Sequence, residues 1–215
     1  MQRTVEWHEQ RRGKLTASNV GAALGQVSYV SRVQAYRRAL GIDDFQGNDA
    51  TNWGIQNEPL ALRAYEAHMG CEVRPTGLHA HPTLEWLAGS PDGLVGEDGL
   101  VEVKCPYYQQ FKGPHQVVPP HYYLQMQQLL QCTGRNYCDY VCYCGDKGMS
   151  IHRVSRDDLL FEALLDDLLK FATAVRLKSA KLPKLNKRRV TEKIKESQHK
   201  YSVCLVKNTP CLLIQ

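Results

Sequence analysis

Asp92 lies in the run Ser90-Pro91-Asp92-Gly93, and ten residues further on, Glu102 and Lys104 share the segment Gly99–Cys105, GLVEVKC. The segment alternates as a strand does: Leu100, Glu102 and Lys104 fall on one face, Val101, Val103 and Cys105 on the other. Pro106 ends it. An acid and a base beside a leucine are a mixed set for a solvated strand face. If Asp92 sits in a turn between two neighbouring strands, it comes close to Glu102. Close carboxylates repel unless a cation or a proton intervenes. Hard oxygen ligands suit Mg²⁺, with Mn²⁺ as a substitute. Lys104 points to the same face as Glu102, where its ammonium could hold and polarise a water or offset charge on a phosphate. The competing reading is a surface salt bridge beside a turn.

These residues need a scaffold, and the rest of the sequence supplies one. Thr16 or Ser18 can cap a short helix through Leu24, ended by Gly25. Ser31 can cap a second through Leu40, ended by Gly41. Residues 42–51 read as a polar loop. A third helix is expected from about Asn52 to Met69, with Ala61, Ala64, Tyr65 and His68 along one stripe. Pro59 either sits in its first turn or kinks it. Cys71–Arg74 and Leu84–Gly89 read as strands before the Asp92 turn. A proline-rich loop then precedes a helix from about His121 to Cys132. Asn136–Cys144 and Met149–Val154 form a hairpin over residues 145–148. Ser155 with Asp158 resembles a capping box for a last long helix to about Lys178.

The chain has 215 residues, 43% hydrophobic and 23% charged, ordinary values for one compact domain and unlike a disordered chain or a fibre. No stretch approaches the roughly 18 apolar residues of a membrane span, and the opening MQRTVEWH lacks a signal-peptide core. An intracellular, reducing compartment is therefore expected, cytoplasm or nucleus. None of the eight cysteines forms a C-x-x-C pair, so buried free thiols are expected rather than a zinc site. Cys138, Cys142 and Cys144 share a strand face with Tyr140. His79, His81, His115 and His121 fit no common zinc spacing and read as loop residues. Trp7, Trp53 and Trp86 read as packing.

Charge is uneven. Residues 178–200 hold nine Lys and Arg against Glu192 and Glu196, a local net of +7, so the remainder carries −2 of the chain's +5. This divides the chain into a body, residues 1–178, and a basic C-terminal tail, residues 179–215. Such a tail suits a polyanion such as nucleic acid, or is simply solvated.

An Asp followed by Glu-x-Lys on the next strand is the signature of the PD-(D/E)xK nucleases. The surrounding text narrows this. The chain resembles the YqaJ and lambda-type exonuclease family of phage and viral recombination nucleases. The resemblance is carried by Trp7-His8-Glu9-Gln10-Arg11 with Leu15-Thr16-Ala17-Ser18, by Gly54 with Asn57-Glu58-Pro59, by Gly89-Ser90-Pro91-Asp92-Gly93, by Val101-Glu102-Val103-Lys104-Cys105-Pro106, and by Gln125-Met126-Gln127, in the family's order.

The resemblance implies an α/β fold with a restriction-endonuclease-like core, a central mixed sheet flanked by helices with the site at one edge. It implies metal ligation by Asp92, Glu102 and the backbone carbonyl of Val103, and water orientation by Lys104. Glu58 matches a helix carboxylate reaching the same site, or else complements its helix dipole. Gln125 matches a glutamine beside the site, with Gln127 a rival. Arg11 matches an arginine that meets a terminal 5′-phosphate, with Arg12 a rival. Ser18 matches a hydroxyl of that pocket, or only caps its helix. The implied activity is Mg²⁺-dependent degradation of the 5′-phosphorylated strand of linear duplex DNA, leaving a 3′ single strand. The implied partners are duplex ends, two further copies in a ring-shaped trimer, and a single-strand annealing protein; no membrane is implied. A structure-specific endonuclease on the same fold, a non-enzymatic DNA-binding module and a protein-interaction domain are the competitors.

Overall fold

The computed structural model describes residues 4–42 and 47–200, together with the backbone of 204–209. Seven α-helices and nine strands occur among them. A six-stranded mixed sheet has the order β2-β5-β6-β7-β8-β9, from Val73–Arg74 (β2), Gly93–Val95 (β5), Gly99–Lys104 (β6), Tyr137–Tyr143 (β7), Met149–Ser155 (β8) and Cys204–Thr209 (β9). β6 and β7 run parallel; the other neighbours are antiparallel. A small second sheet orders Leu15–Thr16 (β1), Leu87–Gly89 (β4) and His79–Ala80 (β3) as β1-β4-β3, also mixed.

Each face of the large sheet carries its own core. On one, Val101, Val103 and Cys105 pack with Val141, Ile151, Ala61 and Tyr65 beneath α4 (Asp49–Met69). On the other, Leu100, Cys138, Tyr140 and Cys142 meet α2 (Ala17–Ala23), α5 (Pro120–Thr133) and α6 (Asp158–Arg176). The alternation read from GLVEVKC is thus the division between two buried faces, and the expected solvent side is occupied by α5. Cys138, Cys142 and Cys144 are buried and unpaired, as are Cys105 and Cys132; Cys204 and Cys211 lie outside the residues whose side chains are described.

Several boundaries shift for local reasons. α1 (Val5–Arg11) precedes the expected helices; it buries none of its residues, so apolar periodicity gives no signal for it. α3 (Arg32–Ala39) starts on Ser31 through a full capping box with Gln34. α4 starts at Asp49 on an Asn48 cap, inside the expected polar loop, so Pro59 lies in the helix interior rather than its first turn. α6 is capped by Asp157, whose Oδ1 accepts from the Leu160 N–H, and not by Ser155, because β8 runs through Ser155. No helix among the described residues is long and apolar enough to cross a membrane.

The basic C-terminal segment contributes α7 (Lys187–Lys200), whose Val190 and Ile194 join the core, and β9, which pairs with β8. Ser197 is buried against Tyr123 of α5 and donates to Asp157.

Two close approaches draw the site elements together. A Cβ at Gly21 of α2 would lie 2.7 Å from the His121 Cβ at the start of α5, and one at Gly93 would lie 2.1 Å from Val73 Cγ1. Only glycine permits these spacings. Gln128 of α5 donates to both Leu15 O and Ala88 O, fastening α5 to the small sheet.

Candidate active site

β5 pairs with β6 in the register Gly93↔Val101, which sets Asp92 opposite Glu102. β5 begins at Gly93, so the ladder stops there, and the Val103 N–H is taken instead by Asp92 Oδ2 at 2.8 Å. The acid is thereby pinned beside the strand, one strand in from the β2 edge rather than on an edge strand.

Glu102 is only 2% exposed. Its Oε1 accepts from Lys104 Nζ and from Gln125 Nε2 of α5, each at 2.5 Å. Its Oε2 is buried without a hydrogen-bond partner. A buried carboxylate oxygen left bare costs free energy, and a cation is what would satisfy it. Burial and Glu102 push the Asp92 carboxyl well above its ordinary range, with Glu58 adding to the effect. Burial pushes Glu102 upward as well, against the pull of Lys104. Burial disfavours the Lys104 charge, yet Glu102 and Asp92 outweigh it and hold the ammonium protonated. Lys104 Nζ also lies 5.2 Å from the centroid of the Tyr122 ring.

The donor chemistry fits a hard divalent ion: Asp92, Glu102 and the strand carbonyl of Val103 all offer oxygen atoms. Among the described residues, no group of three or more His, Cys, Asp or Glu side chains is arranged to hold a metal. The carboxylates therefore form a pair, and a cation bound between them would need backbone oxygen and water to complete its shell. Glu58, on α4, is near enough for its charge to act on both acids.

The rivals named from the sequence make different contacts. Gln127 is occupied elsewhere, donating to Ser155 O and accepting from the Asp157 N–H, so Gln125 is the glutamine that reaches Glu102. Arg11 donates to Ser18 Oγ at 3.0 Å and to Thr16 Oγ1 at 3.3 Å, whereas the Arg12 side chain runs along Gly41. Ser18 lies inside α2, whose N-cap is Thr16, so it is not the cap. Burial pulls the Arg11 guanidinium down to about 10, still cationic at neutral pH, and no carboxylate among the described residues pairs with it.

Three neighbours were not assigned to the site from the sequence. Ser90 accepts from Trp7 Nε1 at 2.9 Å, beside the Arg11 cluster. Tyr122 faces Lys104. His121 is in the first turn of α5, where the helix was expected to begin, and burial, with the charges of Lys104 and His115, lowers it to about 4. His79 belongs to β3. Ser90 stands inside the Gly89–Gly93 run, where its place two residues before Asp92 was the available clue.

A model of the YqaJ-like viral recombinase domain matches residues 6–136. A crystal structure of an alkaline exonuclease, LHK-Exo, from Laribacter hongkongensis is similar at a TM-score of 0.69 and 29% identity, over 90% of this chain and 99% of that one. The same exonuclease in complex with dAMP gives 0.70, again at 29% identity and the same coverage. A phage-related exonuclease from Haemophilus somnus, 15% identical at a TM-score of 0.51 over 88% of this chain and 98% of that one, shares the fold. An uncharacterized protein of Acanthamoeba polyphaga mimivirus is 26% identical over 156 residues, 65% of this chain; the match spans 28% of that relative's length.

Proposed function

The chain belongs to the YqaJ-like viral recombinase domain family, and from that premise we propose that it is a divalent-metal-dependent DNA exonuclease that degrades the 5′-phosphorylated strand of linear duplex DNA. The observation that carries this reading is Glu102: one carboxylate oxygen is held by Lys104 and Gln125, the other is buried and bare, and Asp92 stands opposite. The exonuclease activity of the similar Laribacter protein supports it.

Asp92, Glu102 and the Val103 carbonyl would hold Mg²⁺, with Mn²⁺ able to substitute. The ion would supply acidification of a water and stabilisation of charge on the phosphate. Around it, Lys104 presents a protonated ammonium that orients the attacking water by donating to it and offsets charge growing on the phosphoryl oxygens. Gln125 fixes the rotamer of Glu102 so that its bare oxygen keeps one direction. Glu58 supplies further negative charge from α4. Arg11, with Ser18, binds the terminal 5′-phosphate by charge-assisted hydrogen bonds and so selects ends over internal sites. A chain of this size cannot encircle a duplex, so processive digestion calls for a ring of copies, a trimer by the family resemblance. The 3′ single strand left behind is what a single-strand annealing protein would coat.

The test uses a linear duplex with one 5′-phosphate and one 5′-hydroxyl end, each strand labelled, with Mg²⁺ or EDTA, comparing wild type with Glu102→Ala. Metal-dependent loss from the phosphorylated end, absent in the variant, is expected. Internal cuts, or cutting of a covalently closed circle, would move the assignment to an endonuclease on the same fold. No cleavage with any divalent ion would leave a DNA-binding module.

A further inference from the structure

β6 ends at Lys104, and the chain then forms a short 3-10 helix, Tyr107–Phe111, that packs on α4, the helix carrying Glu58. Half-buried Tyr107 is its hub. The rings of Trp53, Tyr108 and Phe111 all stand nearly perpendicular to the Tyr107 ring, with centroids 6.2, 5.4 and 6.4 Å away. Trp53 ties this cluster to the core beneath α4. Tyr108 and Phe111 point outward and are 74% and 70% exposed. Two large rings held at the surface by a third differ from the scattered apolar side chains that any surface carries.

The backbone beneath the rings is fixed. Pro106 O accepts from the Gln109 N–H, and Gln109 O accepts from the N–H groups of Lys112 and Gly113. Further on, the His115 N–H donates to Cys142 Sγ at 3.3 Å and the His115 carbonyl accepts from Ser150 Oγ at 2.8 Å. A ligand therefore meets a surface it need not order. Charge selects the kind of ligand. From Val103 to Cys138 the chain has no Asp or Glu, while Lys104, Lys112 and Arg135 are cationic, and Lys112 is exposed beside Phe111. In an anionic polymer the counterpart of a flat ring is an unpaired base, whose face is free where a duplex base is already stacked. A second protein fits less well. Two aromatic side chains bring about 300–500 Å² at most, against roughly 800 Å² per partner in a standard protein interface.

We propose that Tyr108 and Phe111 form a stacking platform for unpaired nucleobases, a single-stranded DNA site beside the Asp92–Glu102 pair. Its place in the reaction rests on the nuclease reading: the platform holds nucleotides of a duplex end once they have parted, next to the carboxylates.

The experiment uses the full chain in EDTA with a short 5′-hydroxyl oligo(dT), read by anisotropy, and a relaxed closed circular duplex, read by competition. Tyr108→Ala and Phe111→Ala should each weaken oligo(dT) binding about tenfold, the scale of one base–aromatic stack. The slope of log affinity against log salt should not change, because stacking neutralises no phosphate. Lys112→Gln should instead flatten that slope by about 0.7. Affinity for the closed circle should stay within about twofold of wild type in both ring variants. Tyr108→Trp should keep oligo(dT) binding, and Tyr108→Leu, apolar but without a ring, should lose it as Ala does. Wild-type binding by Tyr108→Leu, or equal losses on both DNAs, would overturn the proposal. So would loss of an oligomer in sizing, which would make the rings a contact between copies. Both side chains are mostly exposed, so each variant should melt as wild type does; if one fails to fold, the other decides. If wild type cleaves linear duplex in Mg²⁺ while neither ring affects oligo(dT) binding, the platform has failed and the nuclease reading stands. If oligo(dT) binding needs both rings but no divalent ion supports cleavage, the nuclease reading has failed and the single-strand site stands.

Discussion

Gln125 on α5 donates from Nε2 to Oε1 of Glu102 on β6 at 2.5 Å, joining a helix and a strand 23 residues apart at a buried carboxylate. Lys104 shares that oxygen, and Oε2 is left bare. Removing the amide should therefore loosen the acid more than it destabilises the fold. Gln125→Ala is expected to cost about 1–3 kcal/mol of transition-state stabilisation, the scale of one donor removed from a buried charged group. Single-turnover cleavage at saturating Mg²⁺ should fall roughly ten- to a hundredfold. An unchanged rate would show that Lys104 alone orients Glu102.

Asp92 and Glu102 are both pushed upward by burial, and each raises the cost of charge at the site. In the absence of a cation, ionising both is unfavourable, so neutralising one should stabilise the protein. Asp92→Asn keeps an acceptor for the Val103 N–H and removes the charge. In EDTA near pH 7 its Tm should exceed that of wild type, by about 2–4 °C for each kcal/mol relieved. Mg²⁺ should raise the wild-type Tm through binding to the folded state and leave the variant nearly unmoved. Cleavage by the variant should drop at least about a hundredfold, the usual loss for one electrostatic contributor. A variant less stable than wild type in EDTA would contradict the repulsion.

Gly21 lets α2 approach α5 at the point where His121 begins the helix that carries Gln125. A Cβ there meets a Cβ and backbone rather than a flexible side-chain tip, so the helices must separate. Gly21→Ala should cost about 1–3 kcal/mol in urea unfolding, as overpacking does. The gain in helix propensity, about 1 kcal/mol, offsets part of this. Equal or greater stability would mean the helices can shift freely.

The basic C-terminal segment cannot be tested by deletion alone, since Val190 and Ile194 are core residues. Removing it exposes the face of α6 it covers, and Ile194→Ala by itself should cost about 2–5 kcal/mol. Lys181, Lys184 and Lys195 are exposed. Changing all three to Gln should leave Tm nearly unaltered. If the segment binds duplex phosphates, the slope of log affinity against log salt should flatten by about 0.9 for each phosphate no longer neutralised. A full slope with normal stability would show that these charges are solvated.

The sequence by itself determined what is local or periodic. The strict alternation of GLVEVKC divided β6 into two faces, and Ser31 started α3; Gly70 and Gly134 directly follow the last residues of α4 and α5. The residue types and spacing of Asp92, Glu102 and Lys104 stated the site's chemistry, because side chains two apart on a strand share a side whatever surrounds them. Tertiary structure decided everything that depends on a neighbour from elsewhere in the chain. Whether Gln125 or Gln127 reached Glu102 turned on the rotation of α5 against the sheet, since the two lie about 200° apart around a helix. That Arg11, and not Arg12, meets Ser18 on α2 and Trp7 one turn back also depended on packing. α1 was invisible because it buries nothing, and α7 because its few apolar residues stand among lysines and arginines. Ser90 gained a partner only when a helix 83 residues away brought an indole to it. A one-dimensional pattern records which groups one element presents together; which group of another element they meet is fixed by packing.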